Sequence, residues 1–216
     1  MQVISDITIV KSKSGAAYEV PYNESFGSSA SVNEYTIIDA NNDGTTWRYY
    51  GSAGAVEYGF SMTKAADDWL ITPAIALEAG KKYIFSLKAR GFAASMPERF
   101  EVKMGNEATV AAMNTSVIAS TDVRTGDLTE FSGSVTVTES GQYFFGIHAT
   151  SDADNMSLRV DDVSIVENVA DGIQIVKSGR ATDHTVYSLD GRIVSTTPNG
   201  SLPKGIYIIN GKKVVR

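Results

Sequence analysis

The sequence contains no cysteine and only two histidines. The absence of cysteine excludes a disulfide framework, a thiolate metal site and a cysteine nucleophile. His148 lies in an apolar, strand-like segment, where a histidine more often holds the structure by hydrogen bonds than acts as a general base. Neither histidine belongs to a Gly-x-Ser-x-Gly or His-Glu-x-x-His motif. We therefore interpret the chain as non-enzymatic.

Basic residues are outnumbered by acidic ones, with 19 Lys and Arg against 25 Asp and Glu and a net charge of -6. This balance argues against a nucleic-acid partner, because binding to phosphates requires clustered lysine and arginine side chains. No apolar run approaches the roughly 18 residues that a membrane-spanning helix requires, so no membrane span is predicted. Cations and uncharged ligands remain open as binding partners.

Short segments rich in β-branched and aromatic residues occupy residues 18–167, separated by Gly, Asn, Asp or Pro. Within the segment 82–89, Tyr83, Phe85 and Leu87 alternate with other residues, as expected of a strand with one packed face. Ten such strands at this spacing predict an all-β fold, specifically an antiparallel jelly-roll β-sandwich. The predicted strands are 35–38, 46–50, 55–60, 69–71, 82–89, 99–104, 115–119, 129–138, 142–149 and 157–166.

The last of these strands changes its apolar face partway along. Leu158 and Val160 fall on even positions, whereas Val163 and Ile165 fall on odd positions. This shift predicts a β-bulge at residues 161–162, which restores the packed face and redirects a carboxylate. The alternative is a bulge whose two aspartates are solvated and bind nothing.

Changes in composition and in sequence pattern divide the chain into three parts. Residues 1–17 contain Asp6-Ile-Thr-Ile-Val, which is similar to Asp162-Val-Ser-Ile-Val and predicts a strand or linker from a preceding, similar domain. Tandem similar domains in one longer chain are therefore expected; the alternative is two unrelated strands, because short matches are common among strands rich in Ile and Val. Residues 18–168 form the predicted jelly-roll domain. Residues 169–216 form a predicted small C-terminal β module, because Asp-Gly and Asn-Gly turn signals can each close a hairpin locally.

One segment carries a metal-like pattern of oxygen ligands. Asp39, Asn41, Asp43 and Gly44 fit D-x-N-x-D-G, the first half of a calcium loop in which alternate short side chains converge on one hard cation. An EF-hand also requires a glutamate at loop position twelve, but Tyr50 stands there. Any calcium must therefore be completed from elsewhere in the fold. The alternative is an Asn/Asp/Gly turn between two strands that needs no metal.

The first and last strands of a jelly roll commonly pair, so Glu24 and Asp161 are predicted to approach the loop of Asp39, Asn41 and Asp43. Together with carbonyl groups and water, these side chains would supply the roughly six to eight oxygens that calcium prefers. Magnesium fits less well, because it favours a tighter octahedral shell and retains its waters. We therefore predict a structural calcium ion that neutralises these carboxylates and connects the two ends of the domain.

Aromatic residues are the other candidates for ligand binding. Exposed rings on a β-sandwich can stack on sugars, but burial in the core is the default for such large apolar groups. We predict Trp47 and Trp69 to lie in the core. Phe92 lies in the loop 91–98, so of these aromatic residues it is the one least explained by packing between strands. It is therefore our candidate ligand-binding ring.

Several short segments of this sequence resemble those of one known family. The chain resembles the cleaved-adhesin or choice-of-anchor J domains of Bacteroidetes surface proteins over roughly residues 18–167. The phrases that carry this resemblance are Tyr22-Asn-Glu-Ser-Phe, Ile38-Asp-Ala-Asn-Asn-Asp-Gly-x-x-Trp, Asp68-Trp-Leu-Ile-Thr-Pro-Ala-Ile and Arg159-Val-Asp-Asp-Val-Ser-Ile. The resemblance implies a jelly roll, often repeated in tandem, that is secreted or surface-displayed and binds calcium. The tail is similar to a type IX secretion C-terminal sorting domain, although it is short and lacks the usual Pro-Asn-Pro opening.

These observations lead to three functional hypotheses. The first is a non-enzymatic, calcium-stabilised adhesion module at the C-terminal end of an exported or surface protein, with a host protein or glycan as its partner. The second is a carbohydrate-binding module for polysaccharide capture. The third is an accessory domain of a larger hydrolase. Paired carboxylates at 67–68 and 161–162 do not favour catalysis, because neighbouring residues on a strand point to opposite faces.

Overall fold

The computed structural model describes residues 15–169, 186–189, 192–195, 202–209 and 212–215. The chain divides into two compact units, residues 1–170 and residues 171–216. Several sequence predictions lie outside the described residues: the strand or linker from a preceding domain within residues 1–14, and the Asp-Gly and Asn-Gly turns at 190–191 and 210–211. Within the described part of the chain, no helix combines the length and hydropathy needed to cross a membrane.

The first unit contains two six-stranded sheets. In the first sheet the strand order is β10-β7-β12-β4-β3, and β1 pairs with the second half of β12. Its strands are β1 (Tyr22–Glu24), β3 (Trp47–Tyr50), β4 (Ala55–Tyr58), β7 (Lys82–Arg90), β10 (Thr129–Thr136) and β12 (Leu158–Glu167). The pairing of β1 with β12 joins the first and last described strands of the unit.

The second sheet has the order β2-β5-β11-β8-β9, with β6 paired to the start of β11. Its strands are β2 (Thr36–Asp39), β5 (Asp68–Ile71), β6 (Ile75–Leu77), β8 (Glu98–Gly105), β9 (Thr115–Val123) and β11 (Gly141–Ala149). All strand pairs in both sheets are antiparallel, and the predicted jelly-roll β-sandwich is confirmed.

Each of the ten predicted strands overlaps an observed strand, but three short elements were missed. The sequence analysis did not predict β1, β6 or a one-turn helix, α1 (Ser29–Val32). These elements have three or four residues, too few to establish a periodicity. A 3₁₀ turn, Val110–Ala112, lies between β8 and β9.

Alternating side chains from the facing strands fill the space between the sheets. On β7, Tyr83, Phe85 and Leu87 are buried, and they face Phe100 and Phe145 from the second sheet within one continuous core. Successive side chains on a strand point to opposite faces, so every second residue lies on the same face. The predicted packed face of β7 is therefore confirmed. Removing these aromatic and aliphatic side chains from water supplies most of the stabilisation of the sandwich.

The edge strand β10 of the first sheet lies close to the edge strand β9 of the second sheet. A Cβ atom placed on Gly133 of β10 would lie 1.9 Å from the carbonyl oxygen of Val117 on β9. Only glycine fits at this position without moving the backbone, because the atom it would meet is a main-chain oxygen.

The predicted β-bulge interrupts β12. The pairing of β12 with β7 shifts register between Asp161 and Ser164, and Asp162 adopts a left-handed backbone conformation with φ of 47°. Val160 and Val163 are consequently both buried although they are three positions apart, which on a regular strand places them on opposite faces. The change of apolar face in the sequence was therefore a correct signal for the bulge.

The second unit contains a four-stranded antiparallel sheet of order β14-β13-β15-β16. Its strands are β13 (Val186–Ser188), β14 (Ile193–Ser195), β15 (Ile206–Ile209) and β16 (Lys212–Val215). Val186 and Tyr207 are its buried side chains among the residues described.

Candidate functional site

The acidic loop after β2 is organised by its own carboxylates. Asp39 accepts hydrogen bonds from the backbone N–H groups of Asp43 (3.2 Å) and Gly44 (2.9 Å). Asn41 Oδ1 also accepts from the Asp43 N–H, and its amide donates to the Ala65 carbonyl oxygen at 2.8 Å. Gly44 has φ of 81°, which a residue with a side chain adopts only with strain. This geometry gathers the side-chain oxygens of Asp39, Asn41 and Asp43 at one end of the sandwich.

A third acidic residue, Asp68, joins this loop through the tertiary structure. Asp68 begins β5 and pairs directly with Asp39 at the end of β2. Its side chain is fully buried, and Asp68 Oδ1 makes no hydrogen bond within the described residues. Asp43 Oδ2, Thr46 Oγ1 and the Tyr58 hydroxyl are likewise buried without a hydrogen-bond partner there. Four oxygen atoms therefore lack the partners that buried polar groups normally have.

The electrostatics of Asp68 reflect this crowding of acidic groups. Burial raises the pKa of its carboxyl from 3.8 to about 6, and the negative charges of Asp39 and Asp43 add to the increase. Burial also raises the pKa of Tyr58, and the charges of Asp68 and Asp43 contribute further. A cation among these groups would reverse both effects, because it favours the ionised carboxylates.

Glu24 and Asp161 lie apart from the acidic loop. Glu24 on β1 pairs with Val163 beside the bulge, and its charge helps to raise the pKa of Asp161, for which burial is the first cause. Both residues lie in the first sheet, whereas β2 and its acidic loop extend from the second sheet. The structure thus divides the five predicted metal ligands into two groups, because β1 hydrogen-bonds along the far half of β12 and not beside β2.

The bulge opens a cavity of about 360 Å³ on the outer face of the first sheet. Lys88 forms a 2.8 Å ion pair with Asp162, and both side chains are nearly half exposed. The other lining residues are Asn23, Glu24, Ser25, Ser86, Leu87, Glu130, Val163 and Ser164. Hydroxyl, amide, carboxylate and ammonium groups therefore converge on a space within the usual range of small-ligand pockets.

The cavity belongs to a larger polar surface, which we call the polar face. It comprises the outward side chains of β3, β4, β12, β7 and β10: Arg48, Tyr50, Glu57, Ser86, Lys88, Arg90, Glu130, Arg159, Asp161 and Ser164. Sequence analysis did not single out Arg48, Lys88 or Arg159 as site residues. Each lies in an ordinary alternating strand, so no local signal distinguishes it from a solvated residue.

The outer face of the second sheet has a different character. Both tryptophans are buried as predicted, Trp47 in the core between the sheets and Trp69 in a second apolar cluster with Ile71 and Met113. The residue before it, Asp68, is buried at the end of the strand, and the alternation turns Trp69 outward. The Trp69 ring stacks on His148 with ring centroids 4.0 Å apart.

His148 links two strands through hydrogen bonds. Its Nδ1 lies 2.9 Å from a carboxylate oxygen of Glu101, and its Nε2 lies 2.8 Å from a carboxylate oxygen of Asp67. Lys103 also contacts Glu101, at 2.8 Å. The imidazole is held at both nitrogens, which is an arrangement that orients the ring and packs it against Trp69.

Phe92, the ring singled out from the sequence, lies in the loop between β7 and β8 and is 56% exposed. Three other large apolar side chains are exposed in segments at the same end of the sandwich: Phe60, Met62 and Leu128. Hydrogen bonds tie neighbouring loops there, from Gly91 N to Thr125 O and from Asp154 N to Ser61 O, both at 2.8 Å. We call these four side chains the loop-end apolar set.

A jelly-roll sandwich with a polar cavity on one sheet and exposed apolar loops at one end defines a binding module. Residues 22–145 match the family described as a carbohydrate binding domain, which is more than half of the chain. The chain therefore belongs to the carbohydrate-binding domain family. No curated protein matches the sequence.

Solved structures with the same fold include adhesin domains. The K3 cleaved adhesin domain of Lys-gingipain from Porphyromonas gingivalis W83 superposes with a TM-score of 0.54 at 16% identity, covering 67% of this chain and 96% of that chain. The K1 cleaved adhesin domain of the same protein gives 0.53 at 20% identity, covering 68% and 98%. At these identities the similarity concerns the fold.

Proposed function

We propose that this chain is a carbohydrate-binding module of a secreted or cell-surface protein, and that it holds a glycan on the polar face. The observation that carries the proposal is the cavity at the bulge. Sugars present many hydroxyl groups, and Lys88, Glu130 and Asp162 supply a donor and acceptors that can pair with them in one place. Membership of a carbohydrate-binding domain family supports the same function.

The test is a glycan array with the full chain, followed by calorimetry on the glycans that bind. Lys88→Ala removes the ammonium donor from the cavity and is expected to weaken glycan binding at least tenfold. Lys82→Ala is the matched control, because it lies on the same strand six residues away, roughly 20 Å along β7. Equal binding by wild type and Lys88→Ala would remove the cavity from the proposal.

Phe92→Ala belongs in the same experiment. The exposed Phe92 ring remains our second candidate for stacking on a sugar, at the loop end and not on the sheet. Loss of glycan binding in Phe92→Ala, with Lys88→Ala unaffected, would transfer the binding site to the loops. Loss in Lys88→Ala alone would leave Phe92 without a role in sugar recognition.

Adhesion to a host protein is the second candidate function. The loop-end apolar set favours it, because exposed apolar side chains grouped on loops are common at protein interfaces. Binding to immobilised host proteins, lost when Phe92 and Leu128 are both replaced by Ser and accompanied by no binding on the glycan array, would support adhesion over glycan capture.

We further propose that calcium stabilises the domain at the acidic loop, held by Asp39, Asn41, Asp43 and Asp68. The buried, unpartnered oxygens of Asp43 and Asp68 fit a hard cation that takes oxygen ligands. Within the described residues, no three His, Asp or Glu side chains are placed to hold a metal ion by themselves, so Asn41, backbone carbonyls and water must supply the rest of the shell. The ion would neutralise the carboxylates and fix the loop.

Thermal unfolding with and without chelator tests this proposal. At a calcium concentration about one hundred times the dissociation constant, a site absent from the unfolded chain adds about 2.7 kcal/mol of stability. Asp43→Ala is expected to abolish the effect of the chelator. Asp161→Ala tests the second group separately: if only this variant abolishes the effect, the ion lies at Glu24 and Asp161. An unchanged melting curve in a calcium-loaded preparation would exclude a structural role.

A further inference from the structure

Four charged side chains form a continuous row across four neighbouring strands of the polar face. Arg48 on β3 pairs with Glu57 on β4, Glu57 pairs with Arg159 on β12, and Arg159 pairs with Arg90 on β7. We call these four residues the arginine row. It contains three guanidinium groups and one carboxylate, so two positive charges are left without a counterion within the row. This excess contrasts with the net charge of -6 for the whole chain.

The centre of the row is rigid. Glu57 is almost fully buried, and its two carboxylate oxygens accept from Arg48 Nη2 at 2.9 Å and Arg159 Nε at 2.7 Å. These two partners outweigh the effect of burial and lower the pKa of Glu57, so the carboxylate is charged at neutral pH. The Arg159 guanidinium also lies over the Tyr50 ring, 4.0 Å from its centroid. Arg159 is thus fixed by a carboxylate and by an aromatic ring.

The outer edges of the three guanidinium groups form no hydrogen bond within the described residues, and 22% of the Arg159 side chain is exposed. Glu57 engages only Nε of Arg159 and Nη2 of Arg48, and the side chain of Arg90 makes one long contact, 3.5 Å from its Nε to the Gly91 carbonyl oxygen. Within the described residues, the Nη groups of Arg90 and Arg159 have no hydrogen-bond partner. Fixed, unpaired guanidinium edges match the paired oxygens of a carboxylate or sulfate group.

The polar face is also polarised along the strands. Moving along β12 from Arg159, the next outward residue is Asp161, and the cavity beyond it contains Glu24, Glu130 and Asp162 around the single cation Lys88. An anionic group is favoured at the arginine row and disfavoured at the cavity. The cavity suits the uncharged hydroxyl groups of a neighbouring sugar, which donate hydrogen bonds to carboxylates.

From this arrangement we infer that the polar face selects acidic glycans, with the carboxylate or sulfate of one sugar on the arginine row and an uncharged part of the chain in the cavity. The inference rests on the proposed glycan-binding function and names its ligand class. The driving interaction is a charge-assisted pair in a position prepared by Glu57 and Tyr50, so little side-chain ordering is needed on binding.

Calorimetry with three matched oligosaccharides tests the ligand class: an oligogalacturonate, its fully methyl-esterified form and a sulfated galactan oligosaccharide. We expect the full chain to bind at least one anionic form at least tenfold more tightly than the uncharged ester, with affinity that falls as sodium chloride is raised. The ratio between the two anionic arms identifies carboxylate or sulfate as the preferred group.

Two variants test the arginine row. Arg90→Gln removes a guanidinium that makes no contact with Glu57. Arg48→Gln removes a side chain that is 67% exposed and leaves Arg159 as the charged partner of Glu57. Each is expected to reduce the preference for the acid severalfold while binding of the uncharged ester is retained. Arg124→Gln is the matched control, an exposed arginine near the end of β9.

The outcomes separate the two proposals. Equal affinity for the acid and its ester, or an unchanged preference in both Arg90→Gln and Arg48→Gln, would overturn selection for acidic glycans and leave glycan binding in place. If no oligosaccharide in the series or on the glycan array binds the wild-type chain, the glycan-binding function fails, and the acidic preference fails with it.

Discussion

Replacing Asp68 by Asn is expected to stabilise the calcium-free protein at neutral pH. Asp68 is fully buried, and its pKa rises from 3.8 to about 6, chiefly through burial and then through the charges of Asp39 and Asp43. A shift of about two units corresponds to about 3 kcal/mol, using roughly 1.4 kcal/mol for each unit. Asn keeps the shape of the side chain and removes the charge.

The direction of the pH dependence follows from the raised pKa. The folded state binds the Asp68 proton more tightly than the unfolded chain does, so the Asp68 charge does not lower the stability of the fold below about pH 4. The loss of stability grows as the pH rises from about 4 to about 6 and is constant above that range. In chelator, the free energy of unfolding of Asp68→Asn should therefore exceed that of the wild type by up to about 3 kcal/mol at pH 7.5 and by little at pH 4.

Urea unfolding followed by tryptophan fluorescence measures this difference at each pH. Asp127→Asn is the control, because this aspartate is exposed and its replacement should change stability little at any pH. With calcium present, the wild type should gain stability and Asp68→Asn should gain much less. A variant that is less stable than the wild type in chelator at pH 7.5, or a difference that does not change with pH, would refute the reasoning.

Three further outcomes are expected. Gly146→Ala should cost about 1–3 kcal/mol, because its Cβ would lie 2.8 Å from Trp69 Cε3, whereas Gly141→Ala meets no atom closer than 4.0 Å and should be nearly neutral in urea unfolding. His148→Ala should cost about 2–3 kcal/mol by the same measurement, since it removes two hydrogen bonds to carboxylates and the stack on Trp69; wild-type stability would contradict this role. A chain that ends at residue 168 should retain one cooperative unfolding transition, and its absence would contradict independent folding of the jelly roll.

The sequence contained enough information for the fold class and for one local irregularity. Alternation in β7 fixes which side chains are buried, because a strand has a period of two whatever its neighbours are. The same rule located the bulge, since the apolar positions of β12 change from even to odd across residues 161–162. The acidic loop was also recognisable, because its hydrogen bonds join residues only two to five positions apart.

Tertiary structure decided which of these residues meet. Asp68 joins the acidic loop only because β5 pairs with β2, and Glu24 is separated from that loop because β1 pairs with β12. The arginine row spans 111 residues from Arg48 to Arg159, and three strand pairings bring it together. Strand order and register depend on long-range burial between the sheets, so the sequence by itself determined the longer strands and their faces, whereas the assembly of the sheets determined the sites.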